Sequence, residues 1–245
     1  MAKDSKPSGN TQKDKNELVA SYLQVRKAIG FIGIALPVLL ILFSLIAERS
    51  GPKGSISAYY YSGGREILVG CLFAIGVFLF SYKGFDKDTR FPTDKTVSRL
   101  AAIGAIGVAF SPMAFANSGA MIEPVPTWVQ SLFSKGIAGG LHGAFALLFF
   151  GSIATFCIVN FCRCAPGTDP DDDKKFRNSM FRVLGVFILL CTAAFAIGSY
   201  FDFSGAFVFW AEALAVWAFG LSWIIKGEAI EGSIDRFLAT RRARQ

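Results

Sequence analysis

Six long apolar runs punctuate the chain, at about residues 28–47, 67–82, 100–116, 141–161, 181–200 and 206–225. Each is close to the ~20 residues a helix needs to cross a hydrocarbon core of about 30 Å. The pattern predicts an all-α polytopic membrane protein, a bundle of six transmembrane helices. Run three carries Ala101, Ala105 and Ala109 at four-residue spacing beside Gly104 and Gly107. Small residues in that register let helix backbones approach closely where lipid gives no hydrophobic drive for association. Pro37 falls mid-run and Pro112 near the end of run three, each a candidate bend that neighbouring helices can repair. Between runs three and four, PVPTWVQSLFSKG places Val125, Val129, Leu132 and Phe133 at helical spacing with Trp128 beside them, which predicts a short interfacial helix.

Three regions follow. Residues 1–16 are polar with almost nothing apolar to bury, and are expected to be a disordered cytoplasmic N-terminus. A helix is expected from Asn16, and residues 17–227 form the six-helix transmembrane domain. Residues 228–245 set Ile230, Ile234, Phe237 and Leu238 on one face, followed by Arg241, Arg242 and Arg244. This is an amphipathic, basic cytoplasmic tail suited to an anionic leaflet. The sequence FAIG occurs in runs two and five, a pattern that inverted repeats would produce, although four apolar residues match readily by chance.

Charge gives the runs a direction. Of the 25 Lys and Arg residues, 21 lie before run one, between runs two and three, between four and five (counting Arg182 at the very start of five), or after six. The alternate loops hold Arg49, Lys53, Arg65 and Lys135. Short basic loops stay cytoplasmic during insertion, so both termini are expected in the cytoplasm, and the membrane is expected to be a bacterial cytoplasmic (inner) membrane. The same segregation argues against nucleic acid as the partner of a chain with pI near 9.2. The first run is as long as a full span, so it reads as a retained signal anchor rather than a cleaved leader. Cys71, Cys157, Cys162, Cys164 and Cys191 give no extracytoplasmic disulfide framework. A single histidine gives no metal site, and the acidic run Asp171–Asp173 lacks the spacing of a calcium loop.

The candidate chemistry gathers near the outer ends. Glu212 lies inside run six, where a carboxyl is costly and must face the bundle interior. The expectation is a neutral acid donating a hydrogen bond, with an ion pair to Arg65 as the alternative. His142, Asp202, Arg65 and Glu66 fall at a similar depth, and the segment before run two supplies Ser55, Ser57, Tyr59, Tyr60 and Tyr61. The candidate ligand-binding residues are Glu212, His142, Tyr59, Tyr60, Ser57, Arg65 and Trp210. Ser55 or Ser57 with His142 has the residue types of a nucleophile and base, but no nucleophile-elbow sequence accompanies them. The inner halves offer few polar groups beyond Ser222, Thr155 and Asn160, which counts against a transport path.

SISAYYYSGGREILVGCLFAIGVFLFSYKG and WAEALAVWAFGLSWIIKGE resemble a family of uncharacterised bacterial multi-span membrane proteins of unknown function. More distantly they are similar to the eukaryotic autophagy-modulator/Frag-type six-span family. The residues that carry the likeness are Ser57, Ala58, Tyr59 and Tyr60, then Trp210, Glu212, Ser222 and Trp223. The resemblance implies the six-span fold and brings no activity with it. The function expected is binding of a lipid or small amphiphile in an outward-facing pocket, as a sensor or accessory subunit. No cofactor is expected. Membrane lipids, a second copy or another membrane protein are the expected partners. A proton-coupled transporter or channel and a membrane-embedded hydrolase are the alternatives.

Overall fold

The computed structural model describes residues 9–82, 84, 90–115, 126–164, 167–203 and 206–242, with side chains between 24 and 227. Seven α-helices account for most of them: α1 (Gly9–Phe43), α2 (Arg65–Ser81), α3 (Asp94–Phe110), α4 (Trp128–Phe133), α5 (Lys135–Thr155), α6 (Asp172–Tyr200) and α7 (Phe207–Arg242). No strand occurs among the described residues. Four helical stretches are long and apolar enough to cross a membrane: Gln24–Glu48, Lys135–Asn160, Asp172–Tyr200 and Phe207–Gly227. Helices α2 and α3 have 17 residues each, about 25 Å at 1.5 Å per residue.

The six long helices close into a ring. Each packs against the next, α1 on α2, α2 on α3, α3 on α5, α5 on α6 and α6 on α7, and α7 returns to α1. Two close approaches hold it shut. A Cβ on Gly104 would stand 2.6 Å from the Phe149 backbone nitrogen, and one on Gly30 would stand 2.7 Å from the Gly220 carbonyl oxygen. The small-residue stripe of α3 is therefore a helix contact, with Ala101 and Ala105 wholly buried. The outward faces carry large apolar side chains such as Ile46 and Leu190, exposed by 74% and 63%. Soluble monomers rarely expose such continuous apolar surface.

Helix ends differ from the sequence expectation where local chemistry intervenes. Helix α1 already runs from Gly9, ahead of the expected start at Asn16, because extending a formed helix is far easier than nucleating one. Residues 1–8 lie outside the described ones. Run three was expected to continue to residue 116 with a bend at Pro112, but α3 ends at Phe110. The residue before a proline is pushed out of the helical region, and Ser111 is extended at φ −101°, ψ 107°. Asp171 caps α6 by accepting from the Lys174 amide at 2.7 Å, and Asp172 and Asp173 occupy the first turn, where the helix dipole favours negative charge. The short helix expected between runs three and four forms as α4, with Thr127 and Gln130 making a reciprocal capping box and Trp128, Leu132 and Phe133 exposed. Val125 lies outside the described residues. Helix α7 continues unbroken to Arg242, while the amphipathic character expected of 228–245 concerns side chains outside the described ones. The two FAIG segments are not equivalent in packing: Phe73 is 44% exposed and Phe195 8%.

Residues 50–64 fold over one end of the ring as a cap, with a 3-10 turn at Ser57–Tyr61. At the opposite, tail end, Trp223 is wholly buried against the rings of Tyr82, Phe156 and Phe161, with centroids 5.1–5.6 Å away. These aromatics fill the ring's interior there.

Candidate functional site

The cap is tied down at several points, and each tie uses a polar group that the sequence places near a helix end. The Gly54 carbonyl accepts from the Phe209 amide at 3.0 Å. Tyr59 is wholly buried and its hydroxyl is hydrogen-bonded to Ser44 Oγ at 2.6 Å. Ser44 begins a π-helical turn, Ser44–Glu48, that follows α1, a deviation that often re-aims a side chain at functional sites. Tyr61 donates to the Met113 carbonyl at 2.6 Å and accepts from Gln130 of α4 at 3.2 Å. Ser55 accepts from the Ala58 amide at 2.9 Å and starts the 3-10 turn.

Beneath the cap a polar chain crosses the bundle. The Ile56 amide donates to Glu212 Oε2 of α7 at 2.5 Å, and the Ser57 amide and hydroxyl hydrogen-bond to the same carboxyl group. Ser57 Oγ lies 2.9 Å from His142 Nε2 of α5. His142 Nδ1 lies 2.6 Å from the Ser111 carbonyl oxygen at the end of α3. The origin of this last contact is local. Pro112 stops α3, so the Ser111 carbonyl has no helical donor and turns to the imidazole. A carbonyl only accepts, so Nδ1 bears the hydrogen. In a neutral ring Nε2 is then the acceptor, and the Ser57 hydroxyl donates to it.

Glu212 and Ser57 also face a cavity of about 50 Å³. Its walls come from all six long helices, among them Leu36, Leu72, Val108, Phe149, Phe195 and Val216. The remaining surface is apolar, so the carboxyl and hydroxyl form a single polar end to an apolar chamber.

Of the residues singled out in the sequence, Glu212, Ser57 and His142 come together in one network. Tyr59 and Tyr60 are buried beside it as supports of the cap, not as lining of the chamber. Arg65 does not reach Glu212. Its guanidinium stacks over the Tyr60 ring at 4.5 Å and donates to the Tyr60 hydroxyl at 3.2 Å. The side chain starts in the first turn of α2 and finds a partner there at little desolvation cost. Trp210 is 42% exposed and lies against Phe209 and Trp217, away from the chamber, because its position on α7 faces outward two residues before Glu212. Glu66 is exposed in the first turn of α2, and Asp202 is exposed in the turn after α6 with φ 53°.

Neither the Ile56 amide nor the Ser111 carbonyl is marked by any sequence pattern, since backbone groups become hydrogen-bonding partners only when a fold turns them. A second polar cluster, not predicted from the sequence, lies at the tail end. Arg26 is almost wholly buried and donates to Tyr82, Tyr82 donates to Asp94, and Asn160 donates to Asp94 at 2.8 Å. Asn160 within an apolar run was the signal available. Ser222 and Thr155 satisfy their hydroxyls within their own helices, on the Phe219 and Gly151 carbonyls, and so contribute no polar path. No group of three or more metal-ligating side chains occurs among the described residues. The Cys162 thiol donates to the Cys157 carbonyl, and burial pushes its pKa up, the opposite of a reactive thiolate. Against known proteins, no family model, no curated protein and no solved structure matches the chain.

Proposed function

We propose that the chain is a six-span protein of a bacterial cytoplasmic membrane that holds one end of a lipid or other small amphiphile in the chamber beneath the cap. The chamber carries this reading: apolar walls from six helices and one polar end made by Glu212 and Ser57. A pocket of that type suits a ligand with an apolar body and a hydrogen-bonding head. Its volume of about 50 Å³ sets a limit, since one water already needs roughly 10–15 Å³ of such space. It takes a head group or a chain end, and the rest of the ligand lies between helices or enters when the cap lifts. Six crossings are the reading supported by α2 and α3 standing between longer helices in the ring and by the alternation of basic loops. The cap then faces outward and the tail end faces the cytoplasm. The aromatic packing around Trp223 argues against a continuous transport path.

One observation favours a second reading. Ser57 and His142 are within the reach of a nucleophile and its base, which suits a membrane hydrolase. An oxyanion needs free backbone donors, however, and the amides of Ile56 and Ser57 are turned to Glu212. Binding is the better account.

The test uses the full chain in lipid nanodiscs with 1-decanol as probe. Decanol is expected to raise the thermal midpoint of the wild type and not that of Ala146→Leu, which fills the chamber. Equal stabilisation of both proteins refutes binding in the chamber. Release of p-nitrophenol from p-nitrophenyl decanoate that Ser57→Ala abolishes would establish the hydrolase instead.

A further inference from the structure

We infer that Ser57 is a two-way proton relay, passing one shared proton between Glu212 and His142 across the interior of the bundle. The geometry fixes both ends of the chain. At one end the Ser111 carbonyl holds the hydrogen on His142 Nδ1, 2.6 Å away. At the other, the Ile56 amide donates to Glu212 Oε2, and the Ser57 amide and hydroxyl lie against the same carboxyl group, which with Ser57 lines one end of the chamber. A serine hydroxyl has one hydrogen and two lone pairs, so Ser57 cannot donate to His142 and Glu212 together. Two arrangements satisfy every atom. In the first, Glu212 is a carboxylic acid donating to Ser57 Oγ, and Ser57 donates to a neutral His142 Nε2. In the second, the Glu212 proton has moved to Ser57 Oγ while the Ser57 proton has moved to Nε2. The result is a carboxylate, an intact serine and an imidazolium. One O–H bond breaks and one forms at Ser57, one O–H breaks at Glu212 and one N–H forms at His142. The proton count is unchanged, and no other reactant is needed.

Other charged groups around the cap have partners away from this hydrogen-bond chain or are exposed to solvent, Arg49 and Lys135 among the exposed. Lys53 pairs with Glu48 at 3.0 Å, Arg65 holds Tyr60, and Glu66 and Asp202 are exposed. The relay therefore changes the charge at the polar end of the chamber from neutral acid to carboxylate without any ion entering. It goes beyond the binding reading and stands on the hydrogen-bond chain alone, so failure of decanol to bind leaves it intact.

His142 is the only histidine in the chain, so labelling with ¹⁵N-histidine reports one ring. The experiment is solid-state NMR of the full chain in lipid bilayers at neutral pH. In the wild type the expected spectrum has Nδ1 protonated and Nε2 exchanging between bare and protonated forms. In Ser57→Ala and in Glu212→Gln the exchange is expected to disappear, leaving a neutral ring with Nδ1 still protonated and bonded to Ser111. That retained bond shows that the variant is folded. Ser57→Thr, which keeps the hydroxyl, is expected to restore the exchange. A wild-type ring protonated only on Nε2, a wild-type ring without exchange, or exchange that persists in both Ser57→Ala and Glu212→Gln would each overturn the relay.

Discussion

The structure makes a sharp distinction between two substitutions at Glu212 and places Arg65 outside their reach. Glu212→Ala removes the acceptor of the Ile56 amide and leaves a buried donor unpaired, at a cost of about 1–3 kcal/mol. Glu212→Gln keeps a carbonyl oxygen for that amide and an NH₂ that can donate to Ser57, the same pattern as a neutral acid. Its cost is expected at about 1 kcal/mol or less, because the Ile56 amide keeps its acceptor. Arg65→Gln loses a cation stacked on Tyr60 at 4.5 Å, worth roughly 0.5–1 kcal/mol at an exposed site. For a chain of this size each kcal/mol moves the thermal midpoint by about 2–4 °C. In a detergent melt, Glu212→Ala should therefore fall by roughly 2–12 °C and each of the other two by less than about 4 °C. The Glu212→Gln/Arg65→Gln double variant should be additive within about 0.5 kcal/mol, because the two side chains have separate partners. Matched large losses for both single variants that do not add in the double would establish an ion pair and sink this account of the site.

Gly104→Ala is expected to cost about 1–3 kcal/mol by forcing α3 off α5, because its Cβ meets helix backbone at 2.6 Å. Gly151→Ala meets nothing within 4 Å and should be neutral or slightly stabilising in the same melt. For orientation, a single cysteine at Trp128, 60% exposed, in a cysteine-free background should react with an impermeant reagent on intact cells. One at Asp172, with its side chain 97% exposed, should react only after permeabilisation, and labelling in intact cells would end the topology. Tyr60 is 5% exposed and gives no usable readout there. Replacing Arg241, Arg242 and Arg244 with Gln should weaken binding of a 228–245 peptide to anionic vesicles by about 3 kcal/mol, near 150-fold, at roughly 1 kcal/mol per charge. Equal binding of the original peptide to neutral vesicles would refute the electrostatic anchor.

The apolar runs by themselves determine membrane-length helices, because a run of ~20 apolar residues satisfies its backbone in lipid within one helix, whereas a barrel strand needs only about 9–11 residues. The stripe of Ala101, Ala105 and Gly104 likewise announces a close helix contact, since small side chains at that spacing leave a groove whatever fills it. Glu212 was legible as a site residue for a related reason: a carboxyl amid apolar neighbours has to find a partner inside the protein. Which partner was not legible. The sequence offered Arg65 by charge and depth, yet the fold turns it onto Tyr60 and gives Glu212 an amide and a serine from the cap. Trp210, two residues from Glu212, lies on the outer face because one residue of helix turns through about 100°. The His142 contact needed both Pro112, which frees the Ser111 carbonyl, and the packing of α3 on α5, which brings the ring within 2.6 Å of it. Local chemistry along the chain sets where helices start, stop and face lipid. Which polar groups meet depends on how the ring closes, a matter of contacts between residues 31 to 156 positions apart in sequence that no local pattern records.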